Sequence, residues 1–376
     1  MSSSKDKKAG GLAGVAAGET AICTVGKEGA GLTYRGYDIY DLAEHARFEE
    51  VAYLLHYGKL PTQAELDAYV QRLKGMRALP EALKSTLETV PANAHPMDVL
   101  RTACSLLGNL EPEGDFSNQL DVADRLLAAF PSMLLYWWRF HTDGIRIDTV
   151  TDDDSVAGHF LHLLHGQPPS EVHRRVLDVS LILYAEHEFN ASTFTSRVIA
   201  ATLSDFHSAI TGAIGALRGP LHGGANEAAM ELIEKFDSAE AADRGVRAML
   251  EAKDKIMGFG HRVYTTSDPR NKVIKAFSQQ LASECGDKVV FPVSEAIEKV
   301  MWDEKKLFPN ADFYSASAYR FMGIPTALFT PIFVCSRTTG WAAHIMEQRA
   351  NNRLIRPAAD YTGPGLQAWT PIDQRG

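Results

Sequence analysis

The chain has 376 residues, 45% of them hydrophobic and 23% charged. That length exceeds the usual reach of a single hydrophobic core, so two domains are expected, and the composition is that of an ordinary soluble globular protein. The charge sum, 38 basic against 47 acidic, is −9. It argues against a nucleic-acid or anionic-membrane partner, yet leaves room for small anions wherever arginines are concentrated.

The first residues, MSSSKDKKAGG, are polar and lysine-rich. No apolar stretch follows that could serve as a signal peptide, and the arginine-rich amphipathic pattern of a transit peptide is missing. No window approaches the roughly 20 apolar residues of a membrane helix. Cys23, Cys104, Cys285 and Cys335 form no CxxC pair and no Cys/His ligand spacing. Neither a zinc site nor a disulfide framework is therefore indicated, and a cytoplasmic location is expected.

An alternating pattern at Ala21–Val25 and a second at Leu32–Tyr34, separated by Gly26, Gly29 and Gly31, predict a small N-terminal hairpin. Helical periodicity then dominates. Thr62 with Glu65 three residues on is a capping-box signal, and Leu66, Tyr69, Val70 and Leu73 follow on one face. Val122, Leu126, Ala129, Phe130, Met133, Leu134 and Trp137 line one face of another helix. The twin Trp137-Trp138 reads as core. Asp152–Asp154 reads as a helix start favoured by the dipole. His159, His162 and His165 recur every three residues, but no carboxylate or cysteine completes a metal set. Gly212, Gly215 and Gly219, with Ala213 and Ala216, suggest close helix packing. The chain is expected to be mostly α. Turn-rich breaks at Gly219–Gly224 and Gly323–Pro325 are the natural limits of an inserted second domain.

Three segments carry ionisable residues in glycine-rich or small-residue settings. In LRGPLHGGANE, Gly219, Pro220, Gly223 and Gly224 break one helix and another starts near Ala225. His222 thus precedes a helix N-terminus, where the dipole disfavours a second proton and a neutral imidazole could donate to a carbonyl. A turn histidine satisfied by backbone is the competing reading. In KIMGFGHRVYTTSDPR, Gly258 and Gly260 allow close backbone approach to an anion or nucleotide. His261 follows at once, and Arg270 comes after the stiff Asp268-Pro269 pair. It is neither a dinucleotide loop nor a phosphate loop, and taken alone it reads as a tight turn. In FPNADFYSASAY, Asp312 lies among small and aromatic residues. Desolvation there would raise its pKa and strengthen it as a base, while a helix N-cap is the alternative.

Taken together these segments resemble, in order, the three catalytic segments of citrate synthases. The likeness runs from about Gly31 to the C-terminus. It includes YAEHEFNASTFTSR around His187, SRTTGW around Arg337 and RLIRP around Arg356. Phe189, where many citrate synthases carry glycine, makes the first of these similar to the 2-methylcitrate synthase branch of the family, as do HPMDVLRT and TDDDSVAGHFLHLLHG.

The resemblance implies an all-α fold. A large helical domain, 1–222 plus 330–376, would carry an inserted smaller helical domain, 223–329, with the site in the cleft between them. It implies that Asp312 removes the α-proton of an acyl-CoA thioester and that His222 stabilises the resulting enol or enolate. His261 would polarise the keto group of oxaloacetate, and water would hydrolyse the condensed thioester. His187, Arg270, Arg337 and Arg356 would hold oxaloacetate, Arg356 reaching across a homodimer. Coenzyme A would lie along Lys255, Ile256, Met257, Gly258 and Phe259. The acyl donor implied by the branch is propionyl-CoA, with acetyl-CoA as a side substrate and propionate catabolism through a methylcitrate cycle as the setting. No metal or redox cofactor is implied, because the CoA thioester is itself a substrate. Many citrate synthases place a basic residue where Thr265 stands; Lys255, Arg262 or Lys272 could replace its contact to coenzyme A.

Overall fold

The computed structural model describes residues 12, 15–27 and 30–375. The lysine-rich start through Gly11 and the hairpin residue Gly29 lie outside them. The expected hairpin is present as β1 (Cys23–Lys27) and β2 (Ala30–Tyr34), with Val25 opposite Leu32 and Cys23 opposite Tyr34. A short third strand, β3 (Tyr37–Asp38), was not foreseen; two residues are too few to show alternation.

Sixteen α-helices follow among the described residues. They are α1 (Ile39–His45), α2 (Phe48–Tyr57), α3 (Gln63–Gly75), α4 (Glu81–Thr89), α5 (Pro96–Leu110), α6 (Gln119–Asp143), α7 (Val156–His165) and α8 (Glu171–Tyr184). After them come α9 (Ala191–Ala200), α10 (Phe206–Leu217), α11 (Ala225–Ile233), α12 (Ala239–Glu251), α13 (Pro269–Cys285), α14 (Val290–Lys305), α15 (Ala311–Phe321) and α16 (Phe329–Ala350). None is long and apolar enough to cross a membrane.

Local chemistry sets the boundaries. Thr62 caps α3 by accepting from the Glu65 N–H, and the Glu65 carboxylate accepts from the Thr62 N–H, so two otherwise orphaned donors are satisfied. The apolar stripe from Val122 to Trp137 is buried on α6, which tolerates Pro131 in its interior. Trp137 is core, whereas Trp138 is only half-buried. The start of α7 is capped by Ser155, not by the preceding aspartates. Asp153 is instead bonded to His162 Nδ1 and to the Thr151 hydroxyl. The three histidines of that helix go separate ways: His159 to Ser132 and Thr151, His162 to Asp153, and His165 to the Met322 carbonyl. Gly212 meets Ile199 of α9, as close packing requires, but Gly219 lies beyond the end of α10.

The spine is α16. Nearly every side chain from Phe329 to Ile345 is buried, and the helix touches α2, α5, α6, α8, α9, α10 and α11. Such all-round burial is why its apolar pattern is not amphipathic. The helices α11 to α15 pack chiefly on one another: α12 on α14, α13 on α15, and α11 on α15. Contacts of α13 and α15 with α8, and of α11 with α16, join this group to the rest. The functional side chains lie along that seam.

Candidate active site

One cleft of about 700 Å³ is lined by His187, His222, Lys255–His261, Arg270, Asp312 and Arg337, together with Tyr184 and Phe189. The residues expected to serve catalysis, to hold oxaloacetate and to lie along coenzyme A, all but Arg356, are therefore gathered in one place.

His222 lies in the turn between α10 and α11. The Ser192 N–H donates to its Nε2 at 3.2 Å, and Ser192 Oγ lies 2.8 Å from the same nitrogen. A backbone amide can only donate, so Nε2 is an acceptor and the neutral ring carries its proton on Nδ1. Trp341 Nε1 donates to Ser192 Oγ and anchors that hydroxyl. Burial, then the positive charge of Arg337, push the His222 imidazole down to about 4. At neutral pH it is an uncharged N–H donor.

His261 reaches the same state with the opposite tautomer. Its Nδ1 accepts from the backbone N–H groups of Val263 (3.0 Å) and Tyr264 (3.3 Å), so the proton sits on Nε2. Burial and Arg270 bring it to about 4. The loop before it depends on glycine, since Gly258 has φ +87° and Gly260 has φ +73°. A Cβ on Gly258 would also lie 2.9 Å from Phe313. The loop is tied to the segment leading into α15 by Gly260 N–H to the Phe308 carbonyl (2.8 Å), Asn310 N–H to the Gly258 carbonyl (2.9 Å) and Asn310 Nδ2 to the Gly260 carbonyl (3.2 Å). His261 and Asp312 are thus placed relative to each other by backbone.

Asp312 is not the cap of α15. Asn310 holds that position and accepts from the Asp312 N–H. The aspartate is left free to face the cleft, where burial raises its carboxyl to about 6 against the opposing pull of Arg270 and of the Tyr184 hydroxyl, which donates to Oδ1 at 2.9 Å.

The cationic wall is made of Arg270 and Arg337. Arg270 is clamped by Asp268, Nε to Oδ1 at 3.0 Å and Nη2 to Oδ2 at 2.8 Å, which fixes its planar fork. Asp268 also caps α13 and receives the Ala311 N–H at 3.0 Å, so one carboxylate fixes Arg270 and the start of the helix bearing Asp312. Arg337 Nε donates to the Tyr184 carbonyl, and its terminal nitrogens have no protein partner among the described residues. His187 is buried, with Nε2 3.1 Å from the Tyr264 hydroxyl and its ring 5.1 Å from that of His261. Burial, then Arg270, hold it well below the usual histidine range. Next to it Glu188 adopts φ +55°, a left-handed conformation uncommon for a residue with a Cβ.

Arg356 lies elsewhere. It is exposed and lines a second cavity of about 980 Å³ with Gly18–Ala21, Arg197, Glu347 and Arg353. Phe189 lines both cavities. Thr265 and Arg262 are exposed, and Arg262 and Lys255 line the cleft while Thr265 and Lys272 do not.

Sequence reasoning missed Tyr184, Ser192, Tyr264 and the capping role of Asn310. Asn310, two residues before Asp312, carried a cap signal that could have been read. The other three are ordinary helix or loop residues whose importance arises only from what they touch.

A paired neutral N–H donor set, a desolvated carboxylate and two held guanidinium groups can abstract a proton, stabilise an oxyanion and bind a dicarboxylate. Comparison with known proteins agrees. Residues 11–358 match the family model described as citrate synthase, C-terminal domain. A 2-methylcitrate synthase of Shewanella oneidensis is 65% identical over 376 residues, all of both chains. Citrate synthase 2 of Bacillus subtilis is 47% identical, covering 97% of this chain and 98% of that one. Among solved structures, the citrate synthase of Thermotoga maritima superposes with a TM-score of 0.86 at 36% identity, covering 98% and 99% of the two chains. The Thermoplasma acidophilum citrate synthase, solved as a ternary complex with carboxymethyl coenzyme A and oxaloacetate, gives 0.89 at 31% identity over 96% and 98%. The fold and site define a condensing acyltransferase. The chain belongs to the citrate synthase family.

Proposed function

We propose that this chain condenses propionyl-CoA with oxaloacetate and water to give 2-methylcitrate and free coenzyme A. The observation that carries the chemistry is the opposed tautomers of His222 and His261, each presenting one N–H with no protein partner among the described residues to a cleft that also holds Asp312. Ionised Asp312 takes the α-proton of the thioester. A lone carboxylate is too weak a base for so weak an acid, and His222 Nδ1–H stabilises the negative charge that develops on the thioester oxygen. A positioned base contributes about 10²–10⁴-fold and a preorganised donor a comparable factor. His261 Nε2–H polarises the keto oxygen of oxaloacetate, and the enol carbon attacks. Water then cleaves the condensed thioester.

Arg270, Arg337 and His187 hold oxaloacetate in this reading, joined by Arg356 of the second subunit of a homodimer. Coenzyme A runs along Lys255–Phe259. The reaction needs no metal or redox cofactor. Helices α11 to α15 form the body of a smaller domain, 223–329, set into a larger one made of 1–222 and 330–376. Closure of the smaller on the larger excludes water until condensation is complete.

The full-length similarity to the Shewanella enzyme supports propionyl-CoA as the acyl donor, and through it a role in propionate catabolism by the methylcitrate cycle. Similarity to a Bacillus citrate synthase supports acetyl-CoA as the alternative. One methylene in an apolar pocket is worth about 1–3 kcal/mol, so both donors are expected to react. The test is release of coenzyme A thiol by the purified protein with oxaloacetate and each donor. A higher kcat/KM for propionyl-CoA bears the proposal out. An acetyl-CoA preference makes the protein a citrate synthase, and no thiol from either donor overturns the catalytic reading.

A further inference from the structure

Behind the cationic wall lies a buried polar chain that the chemistry above does not use. Glu186, fully buried beside His187, has Oε1 2.8 Å from His344 Nε2. His344 Nδ1 lies 2.9 Å from Arg197 Nη1, and the same Nη1 donates to Glu347 Oε2 at 2.7 Å. Arginine only donates, so His344 Nδ1 accepts and its Nε2–H is directed at Glu186. Arg337 and His344 stand seven residues apart on α16, which puts them on one face of that helix. Between them is Gly340. A Cβ there would come within 2.2 Å of Glu186 Oε2 and 2.4 Å of the Ala185 carbonyl, so the missing side chain is what lets the 185–186 backbone and the Glu186 carboxylate lie on the helix. Glu186 Oε2 is buried without a hydrogen bond. Arg337, equally buried, has free terminal nitrogens, and Glu186 is the strongest of the charges that offset the burial cost of its guanidinium.

A buried carboxylate hydrogen-bonded on one oxygen only is costly unless it serves a neighbour. We propose that Glu186 and His344 are positioning residues. Clamped by His344 through Arg197 and seated over Gly340, Glu186 fixes the adjoining His187 and the charge balance of Arg337, and so sets the geometry of the dicarboxylate half of the cleft but not of the thioester half. The carboxylate belongs to the chain segment that carries His187, and at Gly340 it lies against the helix that carries Arg337. On the thioester side, the loop before His261 and the start of α15 are held by the Asn310 and Asp268 contacts, which involve neither Glu186 nor His344. The inference rests on the proposed binding of oxaloacetate by His187 and Arg337.

The experiment compares His344→Leu, similar in bulk but unable to donate or accept, with His344→Gln, whose amide can donate to Glu186 and accept from Arg197. Wild-type thiol release is measured first, because its absence would sink the functional proposal and not this one. The expected result is a tenfold or larger rise in the KM for oxaloacetate in His344→Leu, a KM for the acyl-CoA within twofold of wild type, and recovery of most of the loss in His344→Gln. An unchanged oxaloacetate KM in folded His344→Leu, or equal rises in both KM values, would overturn the inference. Should His344→Leu fail to fold, Glu186→Gln replaces it. That variant keeps the acceptor for His344 and removes only the charge, and a change in oxaloacetate KM with acyl-CoA KM unmoved is again required.

Discussion

The Tyr184 hydroxyl, at the C-terminal end of α8, donates to Asp312 Oδ1 in the first turn of α15 at 2.9 Å across 128 residues of sequence. The same oxygen lies 2.9 Å from Ser315 Oγ, whose own proton goes to the Ala311 carbonyl. Tyrosine has one proton, and where it points decides how strong a base Asp312 is. Tyr184 also passes its main-chain carbonyl to Arg337. One residue therefore touches both the carboxylate that would take a proton and a guanidinium that would hold the second substrate.

Tyr184→Phe should make Asp312 easier to protonate. The lost bond favoured the ionised form, and a hydrogen bond to a charged group is worth about 1.5–3 kcal/mol, or about one to two pH units. The acid limb of the kcat/KM profile, governed by a carboxyl at about 6 in the wild type, should move upward by about one unit. An unshifted limb would mean that the hydroxyl does not bond the base in the working enzyme.

Asp312→Asn should lower turnover at least a hundredfold and stabilise the fold at pH 7. The folded carboxyl titrates at about 6 against an ordinary value of 3.8. The unfolded chain therefore gives up its proton first, and the native state loses stability as pH rises from about 4 through 6. Removing the charge should return about 1–3 kcal/mol at pH 7 and nothing below pH 4, measured as the difference in denaturant midpoint.

His222→Ala removes the donor proposed to act on developing charge, and a loss of about 10²–10³ in kcat is expected with the fold intact. The sign of its pH linkage is opposite to that of Asp312. With a folded value of about 4 against 6.5, the wild type loses stability as pH falls through that window, because the unfolded chain takes up the proton. His222→Ala should lose less, and acid titrations of the two proteins followed by circular dichroism will show it.

Asp268→Ala should be more damaging to stability than any change inside the cleft. It strands the buried Arg270 guanidinium and frees the Ala311 N–H at the start of α15. Breaking a buried pair by removing one partner costs about 3–5 kcal/mol. The protein that remains folded should bind oxaloacetate poorly, since the fork of Arg270 is no longer held in plane. A thermal melt and an oxaloacetate titration read the two effects separately.

The placement of Arg356 outside the cleft lends itself to complementation. If a second subunit supplies this arginine, a mixed dimer of Arg356→Ala and His222→Ala chains contains one intact site, and co-refolded mixtures should regain up to about a quarter of wild-type activity. If each chain serves itself, no mixture regains any.

Much of this protein was legible in its sequence because the signals are local. The capping box at Thr62 and Glu65, the apolar stripe on α6, the glycine punctuation around His222 and His261, and the order of three chemical segments are all set within a few residues, and local backbone chemistry acts over that range. What only the tertiary structure decided is which nitrogen of His222 carries the proton, which neighbour tunes Asp312, and what ties Arg270 to the start of α15. Those depend on Ser192 reaching His222, on Tyr184 reaching Asp312, and on the Asp268 carboxylate joining α13 to α15. Tyr184 and Ser192 make these contacts over 128 and 30 residues of chain. No periodicity marks them, because a hydrogen bond needs only two groups at the right distance in space, and packing alone brings them there.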